Sequence, residues 1–234
     1  MTVVAAHQPN FLPWLGFFDK LARADVLVLL DDVQFPRTGA GTWLNRVRVV
    51  AGGAPTWLTV PVLRAGRGLQ EVREVEIDDA QPWRRRVLRT LETSYGRSPG
   101  FAEAFPLVRA IVEHPERRLA AYNEHGIRML ADALGLDASR LVRSSALAAE
   151  GHGTDLLISL TRAAGGTTYL SGDGADGYQE PERYAAAGVE LRFQEFRHPT
   201  YPQPLPEPVH GLSVVDALMS CGIEGAGRLL QPRV

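Results

Sequence analysis

Residues Val3 to Asp32 read VVAAHQPNFLPWLGFFDKLARADVLVLLDD, and this stretch decides the fold. Val3 to Ala6 and Val26 to Leu30 are short unbroken apolar runs, and between them Pro13 to Ala22 repeats apolar residues with helical spacing. Strands apolar on both faces belong to parallel sheets covered by helices on each side. The stretch therefore predicts strand, helix, strand: a βαβ unit with a right-handed crossover.

Outward from this unit the pattern changes and then returns. Val47 to Val50, Trp57 to Val62 and Val72 to Ile77 predict antiparallel strands, with turns at Gly52, Gly53, Pro55 and Gly66 to Gly68. Behind Pro82, a favourable first helical residue, Trp83, Val87, Leu91 and Tyr95 recur every fourth position and predict an amphipathic helix. Helices are expected over Phe101 to Val112 and Glu116 to Leu134, the latter closed by Gly135. Strands at Arg140 to Arg143, Thr167 to Leu170 and Val189 to Phe193 then alternate with helices at Thr154 to Ala164 and Pro181 to Ala187. Five prolines between Pro199 and Pro208 exclude regular structure, and a short helix is expected near Ser213 to Ser220. The expected architecture is a single α/β domain over 1–234. Its mainly parallel central sheet carries flanking helices in a Rossmann-like arrangement, with a β-rich and helical insertion at about 47–135.

Composition narrows the function classes. Apolar residues make up 45% of the 234 and charged residues 22%, ordinary globular usage that excludes disorder and low-complexity repeats. A net charge of −2 supplies no global field for nucleic acid or an anionic membrane. Lys20 is the sole lysine, the other 24 basic residues being arginine, so Schiff-base and P-loop chemistry have one lysine to draw on, and it sits in no such motif. Cys221 is the sole cysteine, which excludes an intramolecular disulfide and a cysteine-based zinc site, and no metal site is expected. Thr2 to Ala6 reads as a strand rather than a leader, and the longest apolar runs are too short to span a bilayer, so a cytoplasmic location is expected.

In an open α/β sheet, ligands bind at the carboxyl edge. His7-Gln8-Pro9-Asn10 falls at that edge after the first strand, and His7 is a candidate for acid/base work or phosphate contact. The same residues also suit a plain turn in which Asn10 caps the helix. Asp31-Asp32, followed by Gln34, ends the second strand, and Asp32 is a candidate to orient a histidine. The alternative for both acids is a solvated turn. Asn45-Arg46 offers donors for a carboxylate or phosphate, or is a surface pair. Ser171-Gly172-Asp173-Gly174-Ala175-Asp176-Gly177-Tyr178 follows a strand and offers backbone amides to an anion, or is a flexible turn. His198 is either a second acid/base group or a packed histidine.

Taken in order, His7 to Gly16, Asp32-Val33-Gln34-Phe35, Asn45-Arg46, Trp57 to Pro61, Tyr169 to Gly172, Tyr178, His198 to Tyr201 and Leu212 to Asp216 resemble the WbqC-like protein family over nearly the whole chain. Position by position, the resemblance picks out His7, Gln8, Asn10, Asp32, Gln34, Asn45, Arg46, Ser171, Gly172, Tyr178, His198 and Tyr201. Among these, His7, Asp32 and His198 stand as catalytic candidates and the others as substrate contacts. The resemblance implies an enzyme of polysaccharide or natural-product biosynthesis that transfers a glycyl-like aminoacyl or acyl group to the amine of an amino sugar or other small molecule. Its activated donor would be linked to tRNA, a carrier protein or a nucleotide; no other cofactor is implied. Base rates for soluble proteins favour a homodimer. Two further readings stay open. One is a nucleotide-binding or nucleotidyltransferase-like protein that places phosphates at the first helix N-terminus, the other a non-catalytic sugar-nucleotide or carrier-binding partner. A weaker likeness to nucleotidyltransferases and class I synthetases rests on the strand-turn-helix context, without their second histidine or lysine-rich loop.

Overall fold

A computed structural model describes residues 1–36, 42–172 and 179–230. Five parallel strands, β1 (Val3–His7), β2 (Val26–Leu29), β5 (Leu141–Arg143), β6 (Thr168–Ser171) and β7 (Glu190–Phe193), form the central sheet in the order β5-β2-β1-β6-β7. The chain builds outward from β1 to one side through β2 and β5, then returns to β1's other side for β6 and β7. The direction thus switches between β1 and β6, where an open α/β sheet leaves a crevice at its carboxyl edge.

The side chains of β1 explain its unbroken apolar run. Ala5 packs with α1 (Leu15–Arg23) and the larger core, which holds Phe17, Phe18 and Leu21. Val4 and Ala6 face the opposite way, into a second core with Ile158 and Leu160 of α5 (Thr154–Ala163) and Tyr184 of α6 (Pro181–Ala186). Leu27 and Val28 of β2 divide between the two cores in the same alternation.

Between β2 and β5 lies a two-stranded antiparallel hairpin, β3 (Arg46–Ala51) and β4 (Ala54–Thr59), followed by α2 (Trp83–Tyr95), α3 (Phe101–Glu113) and α4 (Leu119–Ala133). Gly52 and Gly53 turn the hairpin with φ of 61° and 76°, the positive values a two-residue primed turn demands. The third expected strand of this region is not one. Val72–Glu74 is a 3-10 turn locked by reciprocal Glu71 and Glu74 capping, and Ile77 makes a single bridge to Val62. Helix α7 (Val214–Arg228) runs past the expected Ser220. Gly222, with φ 75°, kinks it, so two helical pieces follow one another.

Two polar braces fix the segment between β1 and α1. Asn123 of α4 donates to the carbonyls of Pro9 and Leu44, each at 2.7 Å. Ser213, which caps α7, donates to the Leu12 carbonyl at 2.7 Å, and Val214 N–H donates to Pro13 O at 2.8 Å. Further back, the buried Asp216 carboxylate accepts from both Tyr95 and Tyr201, and Val50 N–H donates to the Tyr95 hydroxyl at 2.8 Å. One carboxylate thereby joins α2, β3, α7 and the proline-rich tail.

Candidate functional site

A cavity of about 640 Å³ opens where the direction of the sheet switches. The ends of β1 and β6 supply His7, Gln8, Ser171 and Gly172; the first two turns of α1 supply Gly16 and Lys20; the chain after β7 supplies Gln194 and Phe196. Trp14 and Trp43 form an aromatic wall, their rings 5.5 Å apart.

His7 ends β1 on the face of α1, and its ring meets Phe17 and Trp14 edge-on at 5.1 and 5.2 Å. Its Nδ1 lies 2.9 Å from the Gln8 carbonyl oxygen. A carbonyl only accepts, so Nδ1 carries the proton and Nε2 keeps its lone pair. Burial, then the nearby Lys20 ammonium, lower the pKa to about 3, outweighing the opposing bond to Gln8. His7 is therefore a neutral imidazole with an accepting Nε2 across the neutral pH range.

Lys20 reaches the cavity because Gly172 has no side chain. A Cβ built there would stand 2.7 Å from the Lys20 Nζ. Lys20 is 5% exposed, on an α1 segment that also buries Asp19 completely. Gln194 clamps this corner. Its Nε2 donates to Gly16 O and Asp19 Oδ2, each at 2.7 Å, its backbone N–H to Ser171 O at 2.8 Å, and its carbonyl accepts from Arg23. Arg23 also pairs with Asp19 at 2.9 Å. Gly16 matters for the same wall, since a Cβ there would meet Trp14 at 2.5 Å and Phe196 at 2.9 Å.

Of the sequence-selected residues, His7, Gln8, Ser171, Gly172 and His198 line this cavity, His198 from its exposed rim against Phe196 and His210. Asp32 lies at the same sheet edge but turns to β5 and accepts from Ser144 rather than meeting His7. Its neighbour Asp31 accepts from Ser145 N–H and Ser145 Oγ at 3.0 and 2.7 Å, and its backbone N–H donates to Ser144 Oγ at 3.1 Å, which stitches β2 to the chain after β5. Asn10 is buried without capping α1, whose N-cap is Trp14. Gln34 is exposed, bridged to Glu71. Asn45 is buried in its own turn, accepting from Thr42 N–H and donating to Val60 O, each at 3.0 Å. Arg46 stacks on Trp57, its guanidinium carbon 4.1 Å from the ring centre, and Tyr201 serves the Asp216 brace. Tyr178 and the residues from Asp173 to Gly177 lie outside the described residues. Lys20, Gln194 and the Trp14–Trp43 wall escaped sequence reasoning. The one available hint was that the lone lysine falls, beside Asp19, inside a mostly apolar helix.

Among the described residues no cluster of three or more His, Cys, Asp or Glu is placed to hold a metal ion, and no helix is long and apolar enough to cross a membrane.

The uncharacterized protein Rv1507c of Mycobacterium tuberculosis (strain ATCC 25618 / H37Rv) is 29% identical over 226 residues, covering 96% of each chain. No solved structure matches the chain. The model of the WbqC-like protein family matches residues 8–227, a span that takes in the β1–α1 turn, the Asp216 brace and the cavity lining apart from Ala6 and His7. The chain belongs to the WbqC-like protein family.

Proposed function

We propose that the protein transfers an acyl or aminoacyl group to the amine of a small molecule, of which an amino sugar is the favoured example, and that His7 is the base. The observation that carries this reading is the neutral His7 whose Nδ1–H is committed to Gln8 O, leaving Nε2 as acceptor at the sheet's carboxyl edge. An amine attacks an activated acyl carbon only through a free lone pair, so the site must take a proton from nitrogen. As the C–N bond forms, the proton passes to Nε2; as the bond to the donor's leaving group breaks, the same proton passes to that group.

An imidazole with a pKa near 3 is a weak base. An anionic group seated against Lys20 would offset the second cause of that depression and raise the imidazole's proton affinity as substrate binds. Trp14 and Trp43 suit the apolar face of a sugar or another ring. Gly172 and the Lys20 ammonium line the cavity side by side, where the positive charge would stabilise an oxyanion.

The purified protein, incubated with activated acyl and aminoacyl donors and amino-sugar acceptors, should yield an amide detected as the mass of the joined product. His7→Ala and Lys20→Met should each lower the rate by about 10²-fold or more. Full product formation in both variants would remove His7 and Lys20 from the mechanism.

A further inference from the structure

On one face of the β3–β4 hairpin, Arg48 stands directly opposite Trp57 and Arg46 lies diagonally, stacked on the same indole. The Arg48 guanidinium carbon is 5.8 Å from that ring. Trp57 remains 41% exposed, although its neighbours across the strand, Val47 and Val49, are fully buried on the other face. Two links join this face to the cavity. Trp57 meets Trp43 of the cavity wall edge-on at 5.4 Å. Arg48 donates to the His210 carbonyl at 3.4 Å, and a Cβ at Gly211, itself a lining residue, would be 3.2 Å from the same nitrogen.

Arg48 is poorly supplied with acceptors for a guanidinium. Its Nε is buried without a hydrogen-bond partner, and among the described residues no carboxylate lies within ion-pair distance of it. A planar fork with unused donors suits phosphate oxygens, and an exposed indole suits a nucleobase. Both adjoin the cavity that Lys20 lines, Trp57 through Trp43 and Arg48 through Gly211.

We infer that the Trp57–Arg48–Arg46 face is the subsite for a nucleoside diphosphate, with the base on Trp57, the diphosphate at the arginines, and the linked group passing Trp43 into the cavity. This rests on the transfer reading above and deepens it, because it makes one of the two substrates nucleotide-linked. A small molecule is favoured over an RNA terminus because among these contacts the positive charge amounts to two arginines beside one exposed indole, on a chain of net charge −2.

Calorimetric titration with UDP and ADP tests the assignment, with uridine, inorganic pyrophosphate and a single-stranded RNA oligonucleotide as comparison probes. Both diphosphates should bind with similar affinity, and uridine and pyrophosphate each at least about tenfold more weakly. Trp57→Ala and Arg48→Met should each cost about tenfold while circular dichroism and the melting temperature stay at wild-type values. Absence of diphosphate binding at millimolar concentration, binding indifferent to both substitutions, or tighter binding of the oligonucleotide would overturn the assignment. Should either variant melt early, Trp57→Phe and Arg48→Lys decide: retained stacking and weakened diphosphate binding, respectively, support it, and unchanged affinity in both overturns it. Diphosphate binding that depends on Trp57 and Arg48 without amide formation would sink the transfer reading and leave the subsite. Amide formation unaffected by either variant would do the reverse.

Discussion

His7 makes the stability of the protein depend on pH, and replacing it should remove a defined part of that dependence. Its pKa falls from an ordinary 6.5 to about 3, first through burial and then through Lys20. In that window the unfolded chain binds a proton that the folded chain refuses. The His7 contribution is therefore fully present above pH 6.5 and is lost as the pH falls towards 3. At 1.36 kcal/mol per unit, acidification from about pH 7.5 to pH 4.5 should cost about 2.5 kcal/mol through this group alone. Urea unfolding of the wild type and of His7→Gln at both pH values measures it, since every other titrating group is common to the two proteins and cancels in the difference. The wild type should lose about 2.5 kcal/mol more than the variant over that interval, and Lys20→Met should lose less than the wild type because the second cause is gone. Equal losses in wild type and His7→Gln would mean that the imidazole titrates as if in water, and the case for a neutral base at the end of β1 would fail.

Tyr95→Phe should destabilise by about 3 to 5 kcal/mol in urea unfolding, because it leaves the buried Val50 N–H unpaired and takes a hydrogen bond from the buried Asp216 carboxylate. Asp31→Ala should cost about 2 to 4 kcal/mol, because its buried carboxylate accepts two hydrogen bonds from Ser145, and Asp32→Ala under about 1 kcal/mol; equal losses would contradict the division of labour between the two acids. Gly172→Ala pushes only the end of the Lys20 side chain, so melting should change by under about 1 kcal/mol while amide formation falls. An unchanged rate would show that the ammonium need not rest on Gly172.

The parallel sheet was legible because burial on both faces removes the polar alternation from β1 and β2, and few other settings give such short apolar runs. Val72 to Ile77 misled for the opposite reason. Val72, Val75 and Ile77 are all buried, but the N–H groups of Glu71, Glu74 and Val75 are taken up within a local turn, by Glu74 Oε2, Glu71 O and Val72 O, and only Val72 and Arg73 donate to the segment after β2. Side-chain capping and strand pairing compete for the same donors, and apolar spacing alone does not register which one wins. Helix α7 was read short because a glycine at Gly222 looks like a stop, whereas its φ of 75° only redirects the chain.

The site divides along the same physical line. His7 and Ser171 were readable because each ends a strand, and parallel strands present all their ends on one edge. A strand end fixes where a residue sits but not which way its side chain turns. Asp32 shares the edge with His7 and spends its carboxylate on Ser144; Tyr201 follows His198 by three residues and spends its hydroxyl on Asp216. Polar side chains near a ligand edge also have to close the fold around it, and residue type does not separate the two duties. Lys20 is the converse case. It enters from the helix side, which sequence reading assigns to packing, and it reaches the cavity only because Gly172 yields space and Gln194 holds α1 against β6 through Gly16, Asp19 and Ser171. The contacts that Gly172 and Gln194 make with α1 span most of the chain, so the charge that tunes His7 is a product of the assembled sheet edge, and the chemistry of His7 could be read only after the fold had placed Lys20 beside it.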